Sequence, residues 1–374
     1  MLRLSVIASV LLAIGMSVFA LLVISYAGAK ESSTNANLFH YVKMQTIFAI
    51  IALIWGFCVS RINYSIFKQN LFFYGLIAVT LISLLLVLCP GIGVAVKGSQ
   101  RWIGLGPIRL QPVEFVKLAA IVVLSAHMDR IGGLVNRFSW RTLLPPFVLI
   151  GGSIALLVFQ PDFGGAMIVC FLSGLMLLLG GLGWWKCALL GVLGVLAIAI
   201  LLLSNENRLK RLQNEGEGEN YQAQQSEIAF RNGGLTGQGM GKGMQRQGYL
   251  PECHTDFIFS VIGEDYGLVG TASILVGFLL LLGCGTTIAF NAPDKQGMLL
   301  AFGAMMVICA QGAANMAVVT HLFPTKGLAL PFFSYGGSSL LASSTAIGLL
   351  VSVGRKAILK EDFPEETKPV LHSL

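Results

Sequence analysis

Residues 69–96 read QNLFFYGLIAVTLISLLLVLCPGIGVAV, a stretch of 28 residues that contains no charged side chain. A helix needs about 20 consecutive apolar residues to cross the hydrocarbon core of a bilayer. A strand of a membrane barrel would instead alternate apolar and polar side chains. The stretch therefore predicts a membrane-spanning helix, and the remaining sequence shows whether it is the only one.

Similar charge-free runs recur from one end of the chain to the other. They are Leu4–Ala29, Met44–Ser60, Gln69–Val96, Thr142–Pro161, Phe163–Trp185, Cys187–Asn205, Tyr266–Pro293, Gln296–Thr325 and Gly327–Gly354. A tenth run, Leu118–Met128, reaches spanning length only when residues 112–117 are included.

The composition agrees with this pattern, because 55% of the 374 residues are hydrophobic and only 11% are charged. A soluble fold of this length could not bury so much apolar surface. We expect an all-α, polytopic membrane protein with about ten transmembrane helices, a membrane domain at 1–359 and a polar tail at 360–374. The first run imitates a signal peptide but is too long and is followed by further spans, which predicts an uncleaved first helix.

One large polar loop, at about residues 204–256, interrupts the apolar runs, and we expect it to lie outside the cytoplasm. Its glycine-rich part, residues 233–248, lacks the spacing of a nucleotide-binding loop, which favours a flexible loop. Prolines and glycines within 321–339 predict a re-entrant or broken segment. Such a segment is tolerated in a membrane only where it packs in protein or lines a cavity.

The charge pattern bears on orientation and on partners. Basic residues in short loops favour cytoplasmic N- and C-termini only weakly, because the predicted outer loops also carry many cations. The formal net charge is +7. An anionic lipid or substrate at the outer face would explain those outer cations. Nucleic acid is not an expected partner, because the chain has no basic surface module interleaved with aromatic residues.

Ionisable residues cluster where the large loop turns back into the membrane. Asp256, Ser260 and Glu264 follow one another at one-turn spacing, which places them roughly on one helix face. Such residues at a membrane helix are functional candidates by default, although Asp256 could simply cap the helix. His254 is a weaker candidate, since a histidine in a polar turn is often only solvated. Together, Cys253, His254 and Asp256 would give too few ligands at a recognised spacing for a metal site.

A second group of candidates lies around the start of the fourth run. Glu114 and Lys117 are three residues apart and could neutralise each other as a buried structural pair. Alternatively, Lys117 could join Arg101 and Arg109 in a set of cations suited to a diphosphate. Asp162 could pair with one of these cations or serve only as a turn residue.

Several motifs are specific enough to indicate a family. They are Leu250-Pro-Glu-Cys-His-Thr-Asp-Phe-Ile-Phe, Gly263-Glu264, Pro324-Thr-Lys-Gly-Leu, Ser334-Tyr-Gly-Gly-Ser-Ser, Arg101-Trp-Ile, Gln111-Pro-x-Glu-x-x-Lys and Gln160-Pro-Asp-Phe-Gly. In this order, within a chain of about ten spans, they resemble the SEDS family (shape, elongation, division and sporulation). The segment that begins at Pro324 resembles the division members more than the elongation members.

The resemblance implies a peptidoglycan glycosyltransferase that polymerises lipid II at the outer face of the bacterial cytoplasmic membrane during division, with Asp256 as the catalytic residue. The substrate-binding candidates are Arg101, Arg109, Glu114, Lys117, Asp162, His254, Glu264, Lys326, Ser334 and Ser338. The expected partners are undecaprenyl-diphosphate-linked glycan, a class B penicillin-binding transpeptidase and other division proteins. A divalent cation, Mg²⁺ or Mn²⁺, could assist, although the sequence shows no dedicated site.

The residues and the resemblance together suggest that Asp256 is the general base of an inverting reaction. Two other functions stay open on the sequence. A lipid II flippase would use the same anionic-lipid pocket, and a division scaffold would only recruit a partner. The candidate residues gather at the outer ends of the runs and not at a midplane site between inverted repeats, which disfavours the flippase.

Overall fold

The computed structural model describes residues 1–27, 40–96, 99–106, 108–132, 140–203, 221–323 and 327–362. Its long helices are α1 (Leu2–Ala27), α2 (His40–Arg61), α3 (Asn70–Leu88), α4 (Pro112–Ile131), α5 (Trp140–Phe159), α6 (Phe163–Leu179), α7 (Trp184–Leu203), α8 (221–233), α9 (Ile258–Phe290), α10 (Lys295–Val319) and α11 (Gly337–Asp362). Each predicted apolar run overlaps with one of these helices, and α8 lies inside the predicted polar loop. The prediction of an all-α, polytopic membrane protein is confirmed.

Length and hydropathy identify the membrane-spanning helices most clearly at the two ends of the chain. Within the described residues, six helices are long and apolar enough to cross a bilayer, namely α1, α2, α3, α9, α10 and α11. Many apolar side chains on them point outward: Ile54 and Phe57 of α2 are 61% and 60% exposed. Exposed apolar surface of this kind is what a helix presents to lipid.

Helix α4 lies at the centre of the bundle. From Pro112 to Met128 its residues are buried, apart from the partly buried Phe115. It packs against α3, α5, α6, α10 and α11. Because α4 faces protein on all sides, it can carry Glu114 and Lys117 within the membrane region without exposing either charge to lipid.

A small antiparallel sheet follows α3 and precedes α4. Its strands are β1 (Gly93–Val96), β2 (Ser99–Leu105) and β3 (Ile108–Leu110), with β2 in the middle. The run at 69–96 does not continue as a helix to its end, because Pro90 and Gly91 follow Leu88 and Gly91 takes a φ of 88°. The last residues of the run therefore enter β1.

The predicted broken segment is confirmed for residues 327–336, which the structure describes without helix before α11 begins. Leu330, Phe333 and Ser334 in this segment are at most 3% exposed, and Phe332 takes a φ of 69°. The irregular backbone is thus packed inside protein, as the membrane environment requires. Lys326 lies outside the described residues.

The two ends of the bundle can be told apart by their residues. At one end the guanidinium of Arg3 lies 2.5 Å from the carboxylate of Asp362, so that the start of α1 and the end of α11 meet. We call this end the terminal face. Helix α11 continues to Asp362, beyond the predicted domain boundary at 359. At the other end, the Asp256 face, the large loop, the sheet and the 327–336 segment come together.

Candidate active site

Asp256 lies in a tight turn directly before α9. The backbone N–H groups of Thr255 and Phe257 donate to the carbonyl of Glu252 at 3.1 and 3.2 Å. Glu252 takes a φ of 59°, and Asp256 is partly exposed. Phe257 occupies the N-cap position of α9 without a side-chain capping bond. The N-cap position that the sequence suggested for Asp256 is thus taken by the next residue, Phe257.

The 327–336 segment packs directly on this turn. The hydroxyl of Ser334 donates to the carbonyl of Thr255 at 2.6 Å and accepts the N–H of Leu330 at 2.7 Å. The N–H of Tyr335 donates to the carbonyl of His254 at 2.9 Å. Ser334 is thus a buried link between the two segments, and both its donor and acceptor capacities are used by backbone.

Two amide side chains on α10 hold the same region from the opposite side. Asn315 donates to the carbonyl of Asp256 at 2.8 Å, and Gln311 donates to the carbonyl of Ala329 at 2.9 Å. They are four residues apart, so they lie on one helix face, and both are at most 2% exposed. Sequence reasoning missed this pair, although two amides at helical spacing inside an apolar run were a visible signal.

The Glu114 and Lys117 pair continues this network into the bundle. The ammonium of Lys117 lies 2.8 Å from the carboxylate of Glu114 and also donates to the side-chain carbonyl of Gln311. Gln311 in turn binds Ala329. The structural interpretation of the pair is supported, because both charges are buried and satisfied within protein. A direct contact of Lys117 with substrate would require these bonds to be exchanged.

Arg101 and Asp162 meet where β2 approaches the turn between α5 and α6. Their charged atoms are 3.9 Å apart, and Arg101 also donates to the carbonyl of Pro161. Asp162 is 3% exposed and caps α6 by accepting the N–H of Gly165 at 3.1 Å. Asp162 therefore serves as both a helix cap and an ionic partner, so the two expectations for it are compatible.

Arg109 and Ser338 lie close together where β3 reaches the start of α11. The Ser338 hydroxyl accepts the N–H of Gln111 at 3.1 Å and donates to the carbonyl of Arg109 at 3.5 Å. Arg109 is an exposed residue. Of the arginines proposed for the diphosphate, Arg109 is the more accessible one.

His254 is buried and not solvated, contrary to one expectation for a polar turn. It is 7% exposed, and its ring centroid lies 5.0 Å from that of Tyr41 on α2. Gln45, also on α2, accepts the N–H of Gly336 and donates to the carbonyl of Ser334. Helix α2 thus contacts both the Asp256 turn and the 327–336 segment.

The glycine-rich part of the loop is ordered around two buried carboxylates, which corrects the prediction of a flexible loop. Asp265 accepts the N–H groups of Gly241 and Gly243 at 3.4 and 3.2 Å. Glu264 accepts those of Met244 and Gln245, both at 3.0 Å. A run of backbone N–H groups is a typical anion cradle, and here its anions belong to α9.

The fit between this loop and α9 is close enough to require glycine. A Cβ at Gly237 would lie 2.1 Å from the carbonyl oxygen of Asp265. Gly267 takes a φ of 65° and interrupts α9, so that Leu268 can donate to the carbonyl of Gly234. The carboxylate of Glu264 is fully buried and serves this loop, so a contact with substrate would require its loop bonds to break.

Arg246 completes the loop attachment. It is 1% exposed and forms an ion pair with Asp265. Burial lowers the pKa of the guanidinium, and the nearby Cys253 and Glu264 act in the opposite direction. The loop is therefore fixed to α9 through a buried charge cluster located eight to nine residues beyond Asp256.

A metal site is not visible in the part of the chain that the structure describes. No group of three or more histidine, cysteine, aspartate or glutamate residues there could hold a metal ion. The assisting divalent cation expected from the sequence thus stays a prediction.

Comparison with known proteins shows the family to which the chain belongs. The chain matches the Cell cycle protein family, which groups FtsW, RodA and SpoVE, over residues 3–358. It is 37% identical over 353 residues to the probable peptidoglycan glycosyltransferase FtsW of Trichlorobacter lovleyi, covering 92% of this chain and 91% of that protein. It is 35% identical over 323 residues to stage V sporulation protein E of Bacillus subtilis, covering 85% and 87%.

Solved structures agree with these matches. One similar structure is a chain of a peptidoglycan synthase complex that coordinates polymerization and crosslinking. It superposes with a TM-score of 0.72 at 25% identity, covering 93% of this chain and 97% of that one. The rod shape determining protein RodA of Thermus thermophilus superposes with a TM-score of 0.68 at 27% identity, covering 93% and 96%. The resemblance indicated by the motifs is confirmed, and the chain belongs to the FtsW, RodA and SpoVE family of membrane proteins, the SEDS family.

Proposed function

We propose that this protein is a peptidoglycan glycosyltransferase that polymerises lipid II at the outer face of the cytoplasmic membrane, with Asp256 as general base. The names of its FtsW relatives support the reaction class. The observation that carries the assignment of the base is the position of Asp256: it is a partly exposed residue on a turn that backbone hydrogen bonds and Asn315 hold in place. A general base needs a fixed position within hydrogen-bond reach of its proton.

The proposed reaction transfers a growing glycan from a polyprenyl diphosphate to a lipid II acceptor. Asp256 removes the proton from the 4-hydroxyl of the acceptor GlcNAc as that oxygen attacks the anomeric carbon of the donor MurNAc. The new bond joins this oxygen and carbon, while the bond between the anomeric carbon and the diphosphate oxygen breaks. Attack from the face opposite the leaving group inverts the configuration.

The leaving diphosphate gains negative charge during this step, so fixed cations nearby would stabilise the transition state. Arg109 is exposed on β3. Arg101 lies on the neighbouring strand β2 and is held by Asp162. We assign these two arginines to the diphosphate, together with Lys326. Lys117 already has two buried partners and in this proposal orders the site through Gln311.

The partner we propose is a class B penicillin-binding transpeptidase, which would cross-link the new strands at the division septum. The similar peptidoglycan synthase complex coordinates polymerization and crosslinking, and several relatives carry the name of the division protein FtsW. Cytoplasmic termini are part of this proposal, since they place the Asp256 face outside. The ion pair of Arg3 with Asp362 is consistent with it, because it puts the start of α1 and the end of α11 at one membrane surface.

Reconstitution with labelled lipid II, with and without the transpeptidase, tests the proposal when polymer is scored by gel. Polymer formation by the wild-type protein is the expected result. A parallel assay of lipid II movement between leaflets distinguishes the flippase: translocation without polymer would overturn the proposal. In cells, growth of an Asp256→Ala strain at the wild-type rate would support a scaffold instead.

A further inference from the structure

A long groove opens between α1, α2 and α11, away from Asp256. Its volume is about 650 Å³, and its walls are apolar over most of their length. The floor forms where α2 and α11 pack tightly: a Cβ at Gly348 would lie 2.6 Å from the carbonyl oxygen of Gly56. Val10, Ile14 and Val18 of α1 line the facing wall.

The few hydroxyl groups in the walls do not make the groove polar. Ser17, Thr46 and Ser60 donate to carbonyls of their own helices at 2.9, 2.7 and 2.7 Å, and Ser344 donates to the carbonyl of Ala52 on α2. A hydroxyl whose proton is held by a backbone carbonyl presents mainly carbon to the groove. The interior therefore suits a hydrocarbon chain.

One end of the groove is different, because two arginines line it. Arg355 donates to the backbone carbonyl of Arg61 at 3.2 Å, and the guanidinium of Arg61 lies 4.7 Å from the ring centroid of Phe57. Among the described residues, neither guanidinium has a carboxylate within ion-pair distance. Two neighbouring cations of the same face do have one, since Lys68 pairs with Asp129 at 2.6 Å and Lys356 with Asp294 at 3.3 Å.

The geometry fits a single lipid of one leaflet. The two arginines lie at the terminal face, where the end of α2 meets the last turns of α11. Along α2 the groove runs from Thr46 to Arg61, a separation of 15 residue steps or about 22 Å at 1.5 Å per residue. One leaflet contributes about 15 Å of hydrocarbon. The groove is therefore long enough for one acyl chain whose headgroup stays at the membrane surface.

We propose that this groove is a binding site for an anionic glycerophospholipid, with the phosphate between Arg61 and Arg355 and one acyl chain between α1 and α2. The charge complementarity selects this occupant. A polyprenyl chain entering from the Asp256 face would also find apolar walls, but it would leave both arginines without an anion. This inference is independent of the proposed glycosyltransferase activity.

The site also has a connection to the Asp256 face. The far end of the groove is lined by Phe332 and Leu340. Phe332 belongs to the 327–336 segment, in which Ser334 bonds the turn that carries Asp256. A bound acyl chain would fill space beside this segment, so lipid occupancy should stabilise it.

Native mass spectrometry of the full-length protein tests the site. The protein is equilibrated with phosphatidylglycerol and phosphatidylcholine of identical acyl chains, and the ratio of the two bound lipids is measured. The variants are Arg61→Gln/Arg355→Gln and Ala49→Phe, which fills the groove. The matched control, Lys186→Gln/Lys360→Gln, removes the same charge from the same face outside the groove.

Wild-type protein and control should retain phosphatidylglycerol preferentially. In the double arginine variant, the ratio of bound phosphatidylglycerol to bound phosphatidylcholine should fall roughly fivefold for each arginine removed. Ala49→Phe should bind less of either lipid. An equal loss in the arginine variant and the control would show general surface attraction and overturn the site. Retention of a polyprenyl diphosphate that is unaffected by the arginine changes would also overturn it.

Discussion

The side-chain amide of Asn315 donates to the backbone carbonyl of Asp256 at 2.8 Å, so α10 fixes the turn that carries the proposed base. The same amide also donates to the carbonyl of Leu328. One buried side chain thus sets the spacing between the Asp256 turn and the 327–336 segment.

Asn315→Ala should therefore reduce both polymerisation and stability. It leaves two carbonyls without their donor, and each unsatisfied buried group costs about 1–3 kcal/mol. Small misplacements of a catalytic group can lower a rate on the order of a hundredfold, so we expect at least a tenfold loss of kcat. The control is Asn291→Ala, whose exposed amide bonds only Thr287 of its own helix. Equal activity in the two variants would argue against a positioning role.

Gly327 lies against the carboxylate of Asp256. A Cβ at this position would be 2.9 Å from Oδ2 of Asp256, so Gly327→Ala should displace the carboxylate and slow polymerisation with little change in thermal unfolding. Gly336→Ala is the matched control in the same segment, because its Cβ would meet no atom within 4 Å. If Gly327→Ala keeps wild-type kcat, the carboxylate is not held where the structure places it.

Arg246→Met should destabilise the protein strongly. It leaves the buried carboxylate of Asp265 without its cation, and breaking a buried pair on one side costs about 3–5 kcal/mol. The control is Arg231→Met, which breaks an exposed pair with Glu227 worth about 0–1 kcal/mol. Thermal unfolding in detergent compares them. Similar unfolding temperatures for both variants would contradict the buried charge cluster.

Lowering the pH should weaken the contact between helices at the terminal face, because it protonates Asp294. Burial alone would raise the pKa of this carboxyl, but the N–H of Gly297, the ammonium of Lys356 and the hydroxyl of Tyr64 together lower it below the usual 3.8. A lowered folded-state pKa gives stability that is complete above the unfolded pKa and is lost as pH falls through the folded value. Asp294→Asn should therefore unfold at a lower temperature than wild type at pH 7, and the difference should shrink below about pH 4. A difference that is constant down to pH 3 would contradict this assignment.

The membrane fold could be predicted from sequence because a helix that crosses lipid is recognisable as one continuous apolar run. A charge-free run such as 69–96 predicts a helix without knowledge of its neighbours. The sheet after α3 was not predicted, since its strands have three to seven residues and depend on pairing with one another. The break at Gly267 also depends on a partner, the carbonyl of Gly234.

The candidate site was predicted only in part, for the same reason. Asp256 was recognisable as an ionisable residue at the start of a membrane helix. Glu264 had the same appearance in sequence, but its burial in the glycine-rich loop follows from tertiary contacts. The roles of Gln311 and Ser334 likewise depend on which backbone carbonyls the fold brings to them, and no local pattern contains that information.

The most direct test of the account is the rate of glycan polymerisation by Asp256→Asn in reconstituted membranes containing labelled lipid II. General base catalysis is worth roughly 10²–10⁴-fold, so we predict at least a hundredfold lower rate, with lipid II binding and thermal unfolding unchanged. Wild-type polymerisation by this variant would contradict the assignment of Asp256 as the base.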